Sequence, residues 1–362
     1  MRIAVPTEVK SQEYRVAITP VGVHELVRHG HEVFVQAGAG EGSAITDRAY
    51  TDAGATLRPD AAATWEAGEL VLKVKEPVAA EYGFLRDDLA LFTYLHLAAD
   101  RPLTQRLLEA GTTGIAYETV RLPSGLLPLL YPMSEVAGCL APQVGAHAMM
   151  KAQGGRGVLM GCVGGVPNAK VVVLGGGVAG QNAANVALGM GADVTILDTD
   201  LDKLRQTFWR YDNRVKQIVS TAMSVHDQVL AADLVVGTVL IPGARAPKLV
   251  TNAMVAQMKP GSVLVDVAID QGGCFEDSHP TTHADPTFTV HESMFYCVAN
   301  MPGAVPNTST WALTNATLPY ALRLAELGWA EALAADPALA LGLNTRAGEI
   351  THPGVAAAYA EG

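Results

Sequence analysis

The stretch KVVVLGGGVAGQNAANVALGMGADVTILD occupies residues 170–198. Val171–Leu174 is a short apolar run, suited to a strand buried on both faces. Gly175, Gly177 and Gly180 follow at G-x-G-x-x-G spacing, and a helix-length segment runs from Val178 to about Met190. Val194–Leu197 is a second strand, with Asp198 at its end. The first glycine permits a tight turn, the second lets backbone approach a pyrophosphate, and the third lets helix and strand pack closely. The helix start, at Val178 and Ala179, offers N–H groups and a positive dipole end to phosphates. Asp198 can accept hydrogen bonds from an adenosine ribose. The bland alternative is a glycine-rich turn between buried elements. Strand, turn, helix, strand and acid in that order favour a dinucleotide site. Asp198 favours NAD over NADP, because its carboxylate repels a 2′-phosphate; Lys203 and Arg205 just downstream temper that preference.

A second glycine cluster, Gly38, Gly40 and Gly42, follows the strand-like HEVFVQ and serves as a control. Ser43 takes the place of the third glycine, and Glu41 puts negative charge where phosphates would sit. The next strand-like run ends in Lys75 rather than an acid. This cluster reads as a loop.

With 362 residues, two domains are the default. The composition is globular, 49% hydrophobic and 17% charged. A net charge of −11 disfavours nucleic acid or an anionic membrane as main partner, though a local basic pocket can still hold a small anion. Cys139, Cys162, Cys274 and Cys297 form no C-x-x-C and have no histidine at zinc spacing; they read as reduced core or near-core thiols of a cytoplasmic protein. MRIAVPTEVK lacks the apolar segment of a signal peptide, and the longest uncharged run is interrupted by Gly, Gln and Asn.

Strand signals fall at 2–5, 31–36, 69–74, 90–95 and 113–116. A helix opens with Thr19 as N-cap and Pro20 in its first turn and closes at Gly30; another covers 101–110 and ends at Gly111. Strands alternating with helices imply a parallel sheet. Pro123, Gly125, Pro128 and Pro132 break this pattern. From Ser134–Glu135 a helix reaches about Ala152, with a kink at Pro142, and suits a crossing between domains. After the glycine-rich linker 154–167 comes the nucleotide domain, with further strands near 233–236 and 262–265. A mostly apolar helix over 308–327 is expected to return to the first domain, and the alanine-rich tail from Gly328 to add helix there. The fold class is α/β, with two Rossmann-like domains of parallel strands. Residues 1–128 plus 307–362 form one, and 129–306 form the inserted nucleotide domain.

Three groups sit near strand ends of the first domain: Arg15, Lys75 and His96. In a parallel sheet, ligands bind outside the carboxyl ends of strands. Each group also has a plain reading. Arg15 can be a surface ion pair with Glu13, and His96 a core histidine between Leu95 and Leu97. Lys73 and Lys75 share a strand face by period two, so one is a solvated edge charge; Lys75, at the terminus, is the better candidate. In VDVAIDQGG, Asp270 lies in the glycine-rich loop where it can face a cleft, while Asp266 reads as a structural cap. The loop CVANMP at 297–302 can touch a cofactor; His147, His226, His279 and His283 read as structural or surface residues.

Taken together, PTEVKSQEYRVAITP, VLKVKEP, LFTYLHLA, PMSEVAG, VVVLGGGVAG, DVAIDQGGCFE and VANMPGAVP resemble blocks of the alanine dehydrogenase/pyridine nucleotide transhydrogenase family, over essentially the whole chain. The resemblance implies a cytoplasmic homohexamer that oxidises L-alanine to pyruvate and ammonium with NAD. Carried over by position, Arg15 and Lys75 bind substrate, and His96 and Asp270 are the acid/base pair. NAD contacts would come from Ser134, Asp198, Lys203, Ser220, Val239, Leu240, Val267, Ala268, Ile269, Asp270, Val298, Ala299, Asn300 and Met301. Some members carry an acid and a histidine on the late helix where this chain has Arg323 and Leu327, so no metal is expected there. His279 stands where some relatives carry Arg. The other branch of the family, a nucleotide-binding component of a proton-translocating transhydrogenase, is the alternative; it has no need of Arg15, Lys75 and His96 together.

Overall fold

A computed structural model describes residues 1–239 and 246–361. The chain divides into two compact units, residues 1–133 with 305–362, and residues 134–304. It passes from the first to the second inside the helix Tyr131–Ala148, which contains Pro142.

The first unit is built on six parallel strands: β1 (Arg2–Val5), β2 (Glu32–Gln36), β3 (Thr56–Arg58), β4 (Leu70–Leu72), β5 (Ala90–Thr93) and β6 (Thr113–Ala116). Their spatial order is β6-β5-β4-β1-β2-β3. The order reverses between β1 and β4, the switch point where such sheets bind ligands. Thr19 caps the helix Pro20–Arg28, its hydroxyl accepting from Gly22 N–H. This helix packs on Pro306–Leu327, the late helix, which contains Pro319. Arg101–Ala110 ends at Gly111 in the left-handed region, where a side chain would be strained.

Several expectations need correction here. Strand β4 stops at Leu72, so Lys73 and Lys75 lie beyond it. Lys73 is no solvated edge charge: it is fully buried, 3.1 Å from Glu8 and 2.8 Å from Glu81. Nor is the tail only helical. Between short helices it forms two strands, Leu343–Arg346 and Glu349–Ile350, that extend the sheet antiparallel beyond β6. Positive φ at Ala347 and Gly348 makes the hairpin turn between them. The early glycine cluster is filled by its own chain. A side chain at Gly40 would strike Ile45 and Tyr50, and one at Gly42 would strike Tyr14. The Ser43 hydroxyl donates to Tyr14 O, and its carbonyl accepts from Asn307 Nδ2.

The second unit holds β7 (Lys170–Leu174), β8 (Asp193–Asp198), β9 (Lys216–Val219), β10 (Leu234–Gly237), β11 (Val263–Asp266), β12 (Thr287–Val290) and β13 (Ser293–Tyr296). The order is β9-β8-β7-β10-β11-β13, all parallel, with β12 antiparallel at the edge. Val171, Val172 and Val173 are each at most 2% exposed, so the strand is buried on both faces as its unbroken apolar run demands. Each such valine is worth roughly 1.5–3 kcal/mol of burial. All four cysteines are free thiols; Cys274 and Cys297 are buried and Cys139 half-buried, but Cys162 is exposed rather than near-core.

Candidate active site

The glycine turn of the second unit follows β7 directly. Gly175 has a φ of 105°, and a β-carbon at Gly180 would lie 1.8 Å from Gly175 O. Only glycine allows the helix Val178–Gly189 to approach the strand this closely. A β-carbon at Gly177 would meet nothing within 4 Å, so this side of the turn is open. No side chain caps the first turn of the helix, which leaves Val178 and Ala179 at an uncapped N-terminus. Asp198 is folded back onto the turn: its Oδ2 accepts from Gly176 N–H (2.7 Å) and its Oδ1 from Asp200 N–H (2.8 Å). Lys203 Nζ stands 3.6 Å from Asp198, half-exposed, and Ser220 N–H donates to Asp198 O.

The other residues expected at the cofactor gather at the carboxyl ends of neighbouring strands. Val239 follows β10, Val267–Asp270 follow β11, and Val298–Met301 follow β13. Leu240 lies outside the described residues. Ser134 is half-buried in the first turns of the helix Tyr131–Ala148. Asp266 is fully buried and takes N–H groups from Ala268, Cys274 and Phe275 and the Ser278 hydroxyl, which shapes the loop carrying Asp270. Burial raises the Asp266 pKa despite these bonds. Asp270 itself is exposed, in a short 3₁₀ turn. Asn300 has a left-handed backbone, with His283 Nε2 3.2 Å from its carbonyl. His279 lies tilted against Phe288, with ring centroids 3.7 Å apart.

In the first unit, Arg15, Lys75 and His96 lie beyond the ends of β1, β4 and β5, which are adjacent in the sheet. Arg15 does pair with Glu13, but in the interior rather than on the surface. Its side chain is 2% exposed and makes a two-pronged contact, Nε to Oε1 at 2.7 Å and Nη2 to Oε2 at 2.6 Å. Nη1 points to the Met133 sulfur at 3.0 Å. Burial works against the Arg15 charge, yet the Glu13 contact outweighs it and raises the pKa. Lys75 is half-buried, and its backbone N–H donates to Glu8.

His96 is exposed, not a core histidine, and its φ of 51° is unusual for a residue with a side chain. Two carboxylates that the sequence does not single out surround it. Glu118, just after β6, accepts from His96 N–H (2.6 Å) and Leu95 N–H (3.2 Å). Glu76 Oε2 lies 3.4 Å from His96 Nδ1, and Lys10 holds the other Glu76 oxygen. Glu76 follows Lys75 inside VLKVKEP, so its position beside the strand end was visible; Glu118 arrives from another strand with no local signal.

One doubly wound unit with an open glycine turn, and another that sets cationic and titratable side chains at its switch point, define a two-unit α/β protein of the dinucleotide-binding class. Comparison narrows this. The alanine dehydrogenase/PNT N-terminal domain matches residues 4–137, and the C-terminal domain of the same family matches residues 141–353. The chain belongs to the alanine dehydrogenase/PNT family. An alanine dehydrogenase of Mycolicibacterium smegmatis is 60% identical over 98% of this chain and 96% of its own length. One from Halomonas elongata is 56% identical over 99% and 97%. A solved L-alanine dehydrogenase superposes with a TM-score of 0.97 at 50% identity, over 100% of this chain and 99% of its own. A transhydrogenase from Sinorhizobium meliloti superposes at 0.83 with 28% identity, over 98% and 99%.

Proposed function

We propose that this protein is an NAD-dependent L-alanine dehydrogenase, catalysing L-alanine + NAD⁺ + water ⇌ pyruvate + ammonium + NADH. The observation that carries the reading is Arg15, Lys75 and His96 at the ends of three adjacent strands, in a chain 60% identical to an alanine dehydrogenase over 96% of that protein's length. The residues fit NAD. The turn is open at Gly177, the helix start is uncapped, and a carboxylate rather than a cation closes the second strand. Glycines 175, 177 and 180 with Val178 and Ala179 would hold the pyrophosphate, and Asp198 the ribose. When bound, NAD supplies the hydride acceptor.

The side chains then have distinct tasks. Arg15, held rigid by Glu13, takes the substrate carboxylate, which replaces the weakly accepting Met133 sulfur at Nη1. Lys75 polarises the oxygen of the carbonyl or carbinolamine. Water adds to the iminium that alanine becomes on hydride loss. His96 takes the water's proton as the C–O bond forms and returns it to the amine nitrogen. The carbinolamine hydroxyl proton goes with the departing ammonia as the carbonyl forms, giving ammonium. Asp270 holds water or ammonium through its charge.

The same reading makes the protein a cytoplasmic homohexamer with small-molecule substrates only. Its four free thiols suit a reducing compartment, and its acidity suits neither nucleic acid nor an anionic membrane. No described helix is long and apolar enough to cross a membrane. The test is NADH formation with L-alanine, D-alanine, L-serine and glycine. Strong preference for L-alanine is expected; hydride exchange between nucleotides with no use of alanine would favour the transhydrogenase reading instead. Light scattering of the purified protein tests the hexamer.

A further inference from the structure

Buried carboxylates usually satisfy both oxygens, and Glu76 does not. Its Oε1 is held by Lys10, whereas its buried Oε2 makes no hydrogen bond among the described residues. His96 Nδ1 lies 3.4 Å from that oxygen, where a small rotation of the imidazole completes a bond. The imidazole has freedom for such a rotation, since its side chain is 44% exposed. Its backbone does not share that freedom. Glu118 grips the N–H groups of residues 95 and 96 and holds the left-handed turn. One carboxylate thus fixes where His96 stands, and the other faces one edge of its ring.

We propose that Glu76 is the positioning residue of His96, fixing the Nδ1–H tautomer so that Nε2 carries the lone pair that takes a proton from water. This rests on the alanine dehydrogenase reading above. The proton balance is simple: Nε2 gains a proton as the C–O bond forms, Nδ1 keeps its own, and Glu76 stays ionised throughout. Its electrostatics suit that role. Burial alone would raise the Glu76 pKa, but His96, Lys75 and Lys10 outweigh it and hold the carboxyl well below the usual range. Among the described residues, the charged and titratable groups facing Glu76 are these three, with Tyr82 close enough to feel its charge. Lys75 is the group that can mimic a positioning effect, because it binds substrate in the same reading.

The test is Glu76→Gln in the full-length protein, assayed as pH profiles of kcat and KM for L-alanine oxidation. Without the carboxylate, the imidazolium loses its partner. The acid limb of kcat/KM is then expected to move down by about half a pH unit or more. Turnover is expected to fall about tenfold or more, with KM for L-alanine within about threefold of wild type. An acid limb that stays in place, or a change confined to KM, would overturn the proposal and assign Glu76 to Lys75. If Glu76→Gln fails to fold, Glu76→Asp carries the test. Its carboxylate is withdrawn by one methylene, so turnover should drop several-fold with the acid limb unmoved; wild-type turnover overturns the idea. A wild-type protein that makes no NADH from L-alanine sinks the alanine dehydrogenase reading itself, which separates the two failures.

Discussion

His96 stands in a backbone conformation that costs a side-chain-bearing residue about 1–3 kcal/mol, and Glu118 holds it there. Such strain at the end of a strand is where a proton shuttle is expected. His96→Ala and Asp270→Ala should each lower turnover about 10²–10⁴-fold, with NADH affinity by fluorescence titration nearly unchanged. Lys73 makes a different prediction. It is paired with both buried acids, Glu8 and Glu81, and Glu8 in turn binds the backbone of Val74 and Lys75. Burial opposes its charge, yet the two carboxylates outweigh that and raise its pKa. Lys73→Met strands two buried acids and should cost about 3–5 kcal/mol, read from the urea midpoint. Glu76 adds a pH dependence. Its folded pKa is depressed, so its stabilisation is present above the ordinary value of 4.5 and fades as pH falls below it. The gap in melting temperature between wild type and Glu76→Gln should therefore narrow toward acid. At this scale the sequence showed which residue types carry chemistry, because LVLKVK and LFTYLH end strands in titratable groups. It did not show which lysine is buried, since Lys73's partners sit 65 residues before it and 8 after.

The glycine turn was the most legible element, because strand, turn and helix are contiguous and each glycine has its own steric reason. Gly180→Ala should remove most NADH binding, about tenfold or more in Kd, because its new methyl would fall on Gly175 O. The measurement is a nucleotide titration of a variant whose melting temperature is recorded alongside. Elements made by distant pairing were hidden. Leu343–Arg346 becomes a strand only because β6 lies beside it, with the Thr345 hydroxyl donating to Thr112 O. Alanine-rich flanks gave a helical pattern there, and tertiary pairing overrode it. The three-residue edge strand β3 escaped notice for the same reason. The open parallel order with one switch point in the first unit came only with the pairing.

At the scale of the molecule, one unit is continuous in sequence and the other is assembled from two segments. A fragment spanning residues 129–306 should therefore unfold cooperatively and bind NADH, yet show no alanine oxidation; calorimetry and the NADH assay check both halves of that statement. The interruption at Pro123–Pro132 was readable from composition, as was the late apolar helix. The tie of that helix to the start of the chain was not, because the Val16 N–H and the Ser43 hydroxyl meet Thr310 across more than half the chain.

That tie has a consequence during synthesis. Residues up to 133 leave the ribosome long before residue 305, and at about 5–20 residues per second the wait is about ten seconds or more. Throughout it the helix Pro20–Arg28 lacks the late helix that buries its apolar side, and the intervening lobe is finished just as the wait ends, before any of the late helix exists. The guest matures before its host. A nascent chain stalled or truncated ahead of Pro306 would thus carry a finished nucleotide lobe attached to a sticky, half-covered sheet, and trigger factors or proteases should recognise that half first.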